Sequence, residues 1–124
     1  MNKTIFTDAY DFLDNAGMFE PDTEATADDS QLMAIVDSEI EELREALKQN
    51  DPVETMDAII DSIVTLATLG LRCSHGFTEA DLEGSWDEVQ RSNMTKTIDP
   101  TYVDGKLQKG LYFTPPNISR ILFG

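Results

Sequence analysis

Cysteine, histidine and tryptophan occur once each in this 124-residue chain, and each scarcity excludes a kind of chemistry. A single cysteine, Cys73, cannot close an internal disulfide, so a reduced, cytoplasmic setting is expected. Cys73 sits in an apolar run and reads as a core residue. The lone histidine, His75, cannot supply the two Glu-x-x-His motifs that iron needs in a carboxylate bundle. It reads as a loop residue at the end of a helix. Long apolar runs are also missing: none approaches the roughly 18–20 residues of a membrane helix. The N-terminal MNKTIFTDAYDF lacks the basic-then-apolar layout of a signal peptide, so no membrane association is expected. Basic residues are few. Nine Lys and Arg against 24 Asp and Glu leave a net charge of −15, which argues against nucleic acid as a partner.

What remains is ordinary in amount and unusual in placement. Hydrophobic residues at 40% and charged residues at 27% suit one globular domain over residues 1–124. Residues 1–90 hold 4 of the basic and 22 of the acidic residues, a balance of −18; residues 91–124 hold 5 and 2, a balance of +3. An acidic body suits metal cations, and a basic tail from about residue 95 suits a polyanion.

Apolar spacing predicts four helices. The first covers about residues 3–15, with Ile5, Phe6, Ala9, Phe12 and Leu13 on one stripe, and stops near Gly17. Residues 18–29, acidic and containing Pro21, read as a loop. The second helix runs from about Asp29 to Gln49, with Leu32, Val36, Ile40, Leu43 and Leu47 on one buried face. The third opens on Asp51-Pro52-Val53-Glu54, where Asp51 suits the N-cap, Pro52 the first position and Glu54 a capping box. It is apolar nearly all round to Cys73 and is expected to be central and buried. The fourth begins at Thr78, where Asp81 is placed to complete a capping box, and runs to about Met94. Beyond Thr95, Pro100, Gly110 and Pro115-Pro116 break any helix, and Tyr102 to Leu107 reads as a short hairpin around Asp-Gly.

Acids on the third helix carry the argument to chemistry. Asp57 and Asp61 lie four apart, hence on one face, and the helix offers no basic partner before Arg72. On the second helix, Glu39 and Glu42 share a face beside Ile40 and Leu43. A tight turn near Asn50-Asp51 makes the two helices an antiparallel hairpin. Counted from that turn, the two acid pairs differ in height by only about 2 Å at 1.5 Å per residue. Four carboxylates so close cannot all stay ionised without cations. Oxygen-only ligands suit Mg²⁺, with Mn²⁺ as an alternative.

These segments are similar to a known family. SEIEELREAL, DAIIDSIVTLATLG, WDEVQRSNMTK and DGKLQKGLYFTPPNI together resemble the MazG-like and phosphoribosyl-ATP pyrophosphohydrolase-like all-α NTP pyrophosphatases, over about residues 32–122. The resemblance implies a bundle of four to five helices with an irregular C-terminal tail. It implies assembly as a dimer or dimer of dimers, with helices of neighbouring subunits closing the substrate pocket. It places Mg²⁺ on a Glu-x-x-Glu pair, here Glu39 and Glu42, and on a later acid, here Asp61. Arg91, Asn93, Lys96, Lys106 and Lys109 are expected to meet the triphosphate or its sugar. Two positions depart from the pattern. Ala58 stands where the family has a further acid, which leaves Asp57 as the fourth ligand, and Ser38 stands where many members double the first glutamate.

The expected activity is therefore Mg²⁺-dependent hydrolysis of an NTP or dNTP to monophosphate and pyrophosphate, serving control of the nucleotide pool. Glu39, Glu42 and Asp61 are its catalytic centre, and the substrate and a second copy of the chain are the expected partners. Tyr102, Tyr112, Phe113 or Trp86 are candidates to stack on the base. Three alternatives stand beside it: phosphoribosyl-ATP as the substrate, a non-catalytic acidic protein such as a DNA mimic, and a family member that has lost activity.

Overall fold

Three residues separate the two longest helices, and their backbone bonds explain how so short a turn holds. The computed structural model describes residues 3–20 and 24–124, so Pro21 and its two successors in the expected loop lie outside the described residues. Helix α1 spans Ile5–Asn15, α2 Asp29–Lys48 and α3 Pro52–Arg72. After α2, Asn50 takes φ 55°, and the N–H groups of Asn50 and Asp51 donate back to the carbonyls of Leu47 and Ala46, each at 3.2 Å. This left-handed exit satisfies the last carbonyls of α2. The Asp51 side chain then accepts from the N–H groups of Val53 and Glu54 at 3.0 and 3.1 Å, starting α3. The expected capping box is not formed, because the Asp51 N–H that Glu54 would accept is already spent on Ala46.

The far end of the α2–α3 hairpin is tied as well. Asp28 caps α2 in a reciprocal box with Gln31, both bonds 2.8 Å. Asp29 accepts from the Ser74 N–H and hydroxyl at 2.8 and 2.6 Å, and Arg72 donates to the Ala25 carbonyl at 2.6 Å. Helix α1 is capped by Thr4 and ends where Gly17 takes φ 70°, and it packs on α3 through its buried Ala9 and Leu13.

Burial on α3 overturns one expectation. Its buried residues are Ala58, Ser62, Ala67 and Leu71, whereas Met56, Ile60 and Leu66 are at least half exposed. The small residues face α1 and α2, where backbones approach closely, and the bulky ones turn outward. On α2, Leu32 and Val36 are buried as expected, but Leu47, in the last turn beside the chain reversal, is exposed.

Contacts divide the chain at the start of the fourth helix, into Met1–Glu79 and Ala80–Gly124. The second unit holds α4 (Glu79–Thr95), the strands β1 (Tyr102–Val103) and β2 (Lys106–Leu107), and α5 (Ile118–Phe123). The strands pair antiparallel, Tyr102 with Leu107, around Asp104 and Gly105, both at positive φ, as the Asp-Gly signal implied. Helix α5 follows Pro115-Pro116, where the breakers hid it, and is capped by Asn117. It packs where α4 has Gly84: a Cβ there would stand 3.1 Å from Ile121. The fold is all-α, and no helix among the described residues is long and apolar enough to cross a membrane.

Candidate metal centre

The antiparallel hairpin brings Glu39 and Glu42 of α2 to Asp61 of α3. One carboxylate oxygen of each lies within 4.8 Å of the others. Glu39 and Asp61 are half-buried and Glu42 is exposed, so the cluster opens to solvent on one side. Glu39 Oε2 is buried without a hydrogen-bond partner. Burial pushes the Glu39 carboxyl above the usual range, and Glu42, Asp61 and Asp57 push it the same way. An orphaned oxygen among like charges is the environment a cation relieves. Hard oxygen donors at this separation fit a divalent ion of the Mg²⁺ or Mn²⁺ kind.

Neighbouring positions explain the shape of the cluster. Asp57 is exposed and stands outside the trio, contributing to Glu39 only through its charge. Ala58 is buried against the helix pair, one step round α3 from Asp61, and Ser38 is exposed. Hydroxyls let this side of α3 pack closely. Ser62 donates to the Ala58 carbonyl and Thr65 to that of Asp61, both at 2.7 Å, so neither leaves a bare polar atom. A recurrence of Ala and hydroxyl residues at 58, 62, 65 and 68 was the signal for the close-packed side. The bulk of the surrounding isoleucines masked it.

In the second unit the expected phosphate-binding residues differ in their surroundings. Asn93 and Lys106 are exposed, on α4 and β2. Lys96 and Lys109 place their Nζ atoms 5.7 and 5.2 Å from the centroid of the same ring, Phe113. Arg91 makes internal bonds: Nε and Nη2 reach the two Glu88 oxygens at 2.8 and 3.0 Å, Nη1 reaches Thr114 Oγ1 at 2.7 Å, and Nη2 reaches the Pro115 carbonyl at 3.0 Å. Sequence reasoning missed Glu88, which is buried. Its bonds from Arg91 and from the Asn117 N–H hold its carboxyl down at about 2.

A family model described as phosphoribosyl-ATP pyrophosphohydrolase matches residues 16–93. The matched span takes in α2, α3, most of α4 and the whole carboxylate cluster. No significant match was found among curated proteins or among solved structures.

Proposed function

The chain belongs to the phosphoribosyl-ATP pyrophosphohydrolase family of the MazG-like all-α superfamily, and we propose that it hydrolyses a nucleoside or deoxynucleoside triphosphate to monophosphate and pyrophosphate with Mg²⁺. The observation that carries this reading is the trio Glu39, Glu42 and Asp61, with one oxygen of each within 4.8 Å of the others, and Glu39 Oε2 buried and unpaired. These three residues would hold the ion, with Asp57 on the exposed rim as the candidate for a fourth oxygen. A bound divalent cation would supply charge neutralisation at the phosphates and acidify water. Water oxygen adds to the α-phosphorus as the bond to the bridging oxygen breaks; the water gives up a proton to solvent, and pyrophosphate carries the broken bond's electron pair away. Asn93, Lys96, Lys106 and Lys109 serve the phosphates or sugar, while Arg91, whose guanidinium is bonded to Glu88, Thr114 and Pro115, positions the tail beside them. Charge held ready for the leaving pyrophosphate lowers the barrier most when it is positioned before reaction.

Phosphoribosyl-ATP is the second reading, favoured by the description of the matching family model. The bond cleaved is of the same kind, and the difference lies in what the adenine carries. One experiment decides: a panel of NTPs, dNTPs and phosphoribosyl-ATP, with Mg²⁺, Mn²⁺ or a chelator, followed by monophosphate and pyrophosphate release. Turnover of triphosphates that stops with chelator and with Asp61→Asn supports the first reading. Turnover of phosphoribosyl-ATP alone replaces it with the second. No turnover, with no metal-dependent rise in melting temperature, removes both.

A further inference from the structure

Four residues on one face of α4 grip a single stretch of the tail. Thr114 is held three ways: its hydroxyl oxygen accepts from Arg91 at 2.7 Å, its carbonyl from the Ser92 hydroxyl at 2.8 Å, and its N–H donates to Thr95 Oγ1 at 3.0 Å. Glu88 Oε2 accepts the Asn117 N–H at 2.6 Å, and Oε1 faces Arg120 Nη2 at 3.6 Å. Both Glu88 oxygens also anchor the Arg91 fork. Glu88 thus lies at the centre of the clasp, with only 5% of its side chain exposed.

What the clasp fixes is the residue before Thr114. Phe113 carries the ammonium groups of Lys96 and Lys109 over its ring, and Lys96 directly follows Thr95. Two like charges gathered on one ring repel each other, and the ring's negative faces hold them only loosely. Such a pair is poised for a group with several negative oxygens. Glu88 is buried but the Arg91 side chain is 47% exposed, and apolar contacts of equal volume would hold a tail as well as such a pair. A two-point Arg–carboxylate fork does add direction.

We infer that Glu88 is a positioning residue for substrate phosphates, acting through Arg91 and Thr114 to fix Phe113 and the two lysines that share its ring. This rests on the reading above that Lys96 and Lys109 meet the phosphates. Glu88 itself touches no substrate. The Glu88→Gln variant tests the idea because both oxygens face Arg91 N–H groups. Whichever way the amide turns, its NH₂ opposes a donor, and the fork opens.

Kinetics of the full chain on its best triphosphate give one arm. Glu88→Gln should lower kcat/KM about 10-fold, mainly through KM, as expected for lost ground-state contacts. In a chain already carrying Lys96→Ala and Lys109→Ala it should add less than about twofold, because it acts through those groups. Equal losses in both backgrounds would mean a general structural effect and overturn the inference. The second arm needs no turnover. Ring-current shifts of the Lys96 and Lys109 side-chain methylenes, measured by NMR, should be present in the wild type and lost in Glu88→Gln. Shifts that persist overturn the inference whatever the substrate proves to be, whereas absent turnover with lost shifts upholds the clasp and removes its phosphate role. If Glu88→Gln does not fold, Thr114→Val removes a single grip and takes both measurements in its place.

Discussion

At the residue scale, Asp61 is where the carboxylate cluster can be relieved one charge at a time. It is half-buried, it shares the cluster with Glu39 and Glu42, and Glu39 Oε2 has no hydrogen-bond donor. Asp61→Asn should lower kcat/KM by at least about 100-fold, on the order of 2.7 kcal/mol of transition-state stabilisation. It should leave the helical circular dichroism intact, and the metal-free melting temperature should not fall, since a repelling charge is gone. A metal-free chain that unfolds on this change would mean that Asp61 stabilises the fold, not a cation. Asp57→Asn should also lose most activity; full turnover would take Asp57 out of the site. Lys109→Ala should cost about 10- to 100-fold in kcat/KM, roughly 1.4–2.7 kcal/mol, with Mg²⁺ affinity in the absence of nucleotide unchanged. Glu39, Glu42 and Asp61 were legible in the sequence because a helix converts spacing of three or four into a shared face. Glu88 was not. On a helix as charged as α4 it looks like any solvated acid, and the Asn117 N–H that partners it lies 29 residues away.

At the scale of elements, the clasp of α4 on the tail carries a pH signature. Folding takes the Glu88 carboxyl from its ordinary 4.5 down to about 2, with Arg91, the Asn117 N–H and Arg120 as the causes. The unfolded chain therefore binds this proton more tightly than the folded one. The stabilisation is present above about 4.5 and is lost as pH falls from there towards about 2. Trp86, the one tryptophan, lies in α4, so its fluorescence reports on this unit. Thermal melts followed at Trp86 should lose stability over that window in the wild type and lose less of it in Glu88→Gln. Equal pH dependence in the two chains would show that the Glu88 bonds do not hold the tail. The elements themselves were largely readable. Asp51-Pro52, Gly17 and Asp104-Gly105 mark boundaries through backbone geometry, which is local and hence visible in sequence. Helix α5 escaped notice because its start depends on Asn117 after two prolines, and Gly84 of α4 makes room for its Ile121. The orientation of α3 escaped notice too, because periodicity shows how many faces are apolar but not which of them a single chain covers.

At the scale of the whole molecule, that uncovered face is the strongest constraint left. Val53, Met56, Ile60 and Leu66 of α3 are 73, 62, 50 and 50% exposed, and Ile59, Ile63 and Val64 lie among them. From Val53 to Leu66 the helix rises roughly 20 Å, at about 1.5 Å per residue. An exposed apolar surface of that length marks an interaction site, because water is excluded from it at every opportunity. Charge works the other way: two copies at −15 each repel, so association has to be driven by the apolar face and should strengthen with salt. A second copy presenting its own α3 is the partner expected here, as a homodimer or a tetramer built from helical contacts. Light scattering at micromolar concentration should give at least twice the 13.8 kDa chain mass. A charge placed mid-face, Ile60→Lys or Ile63→Glu, should shift the population towards monomer while leaving the helical circular dichroism in place. Neither change touches a carboxylate of the cluster, so the Mg²⁺-dependent rise in melting temperature should survive in the monomer if one hairpin suffices to bind the ion. A wild-type chain that scatters as a monomer would leave the outward turn of these side chains without a reason. It would also remove the shared-pocket arrangement that the family resemblance implies.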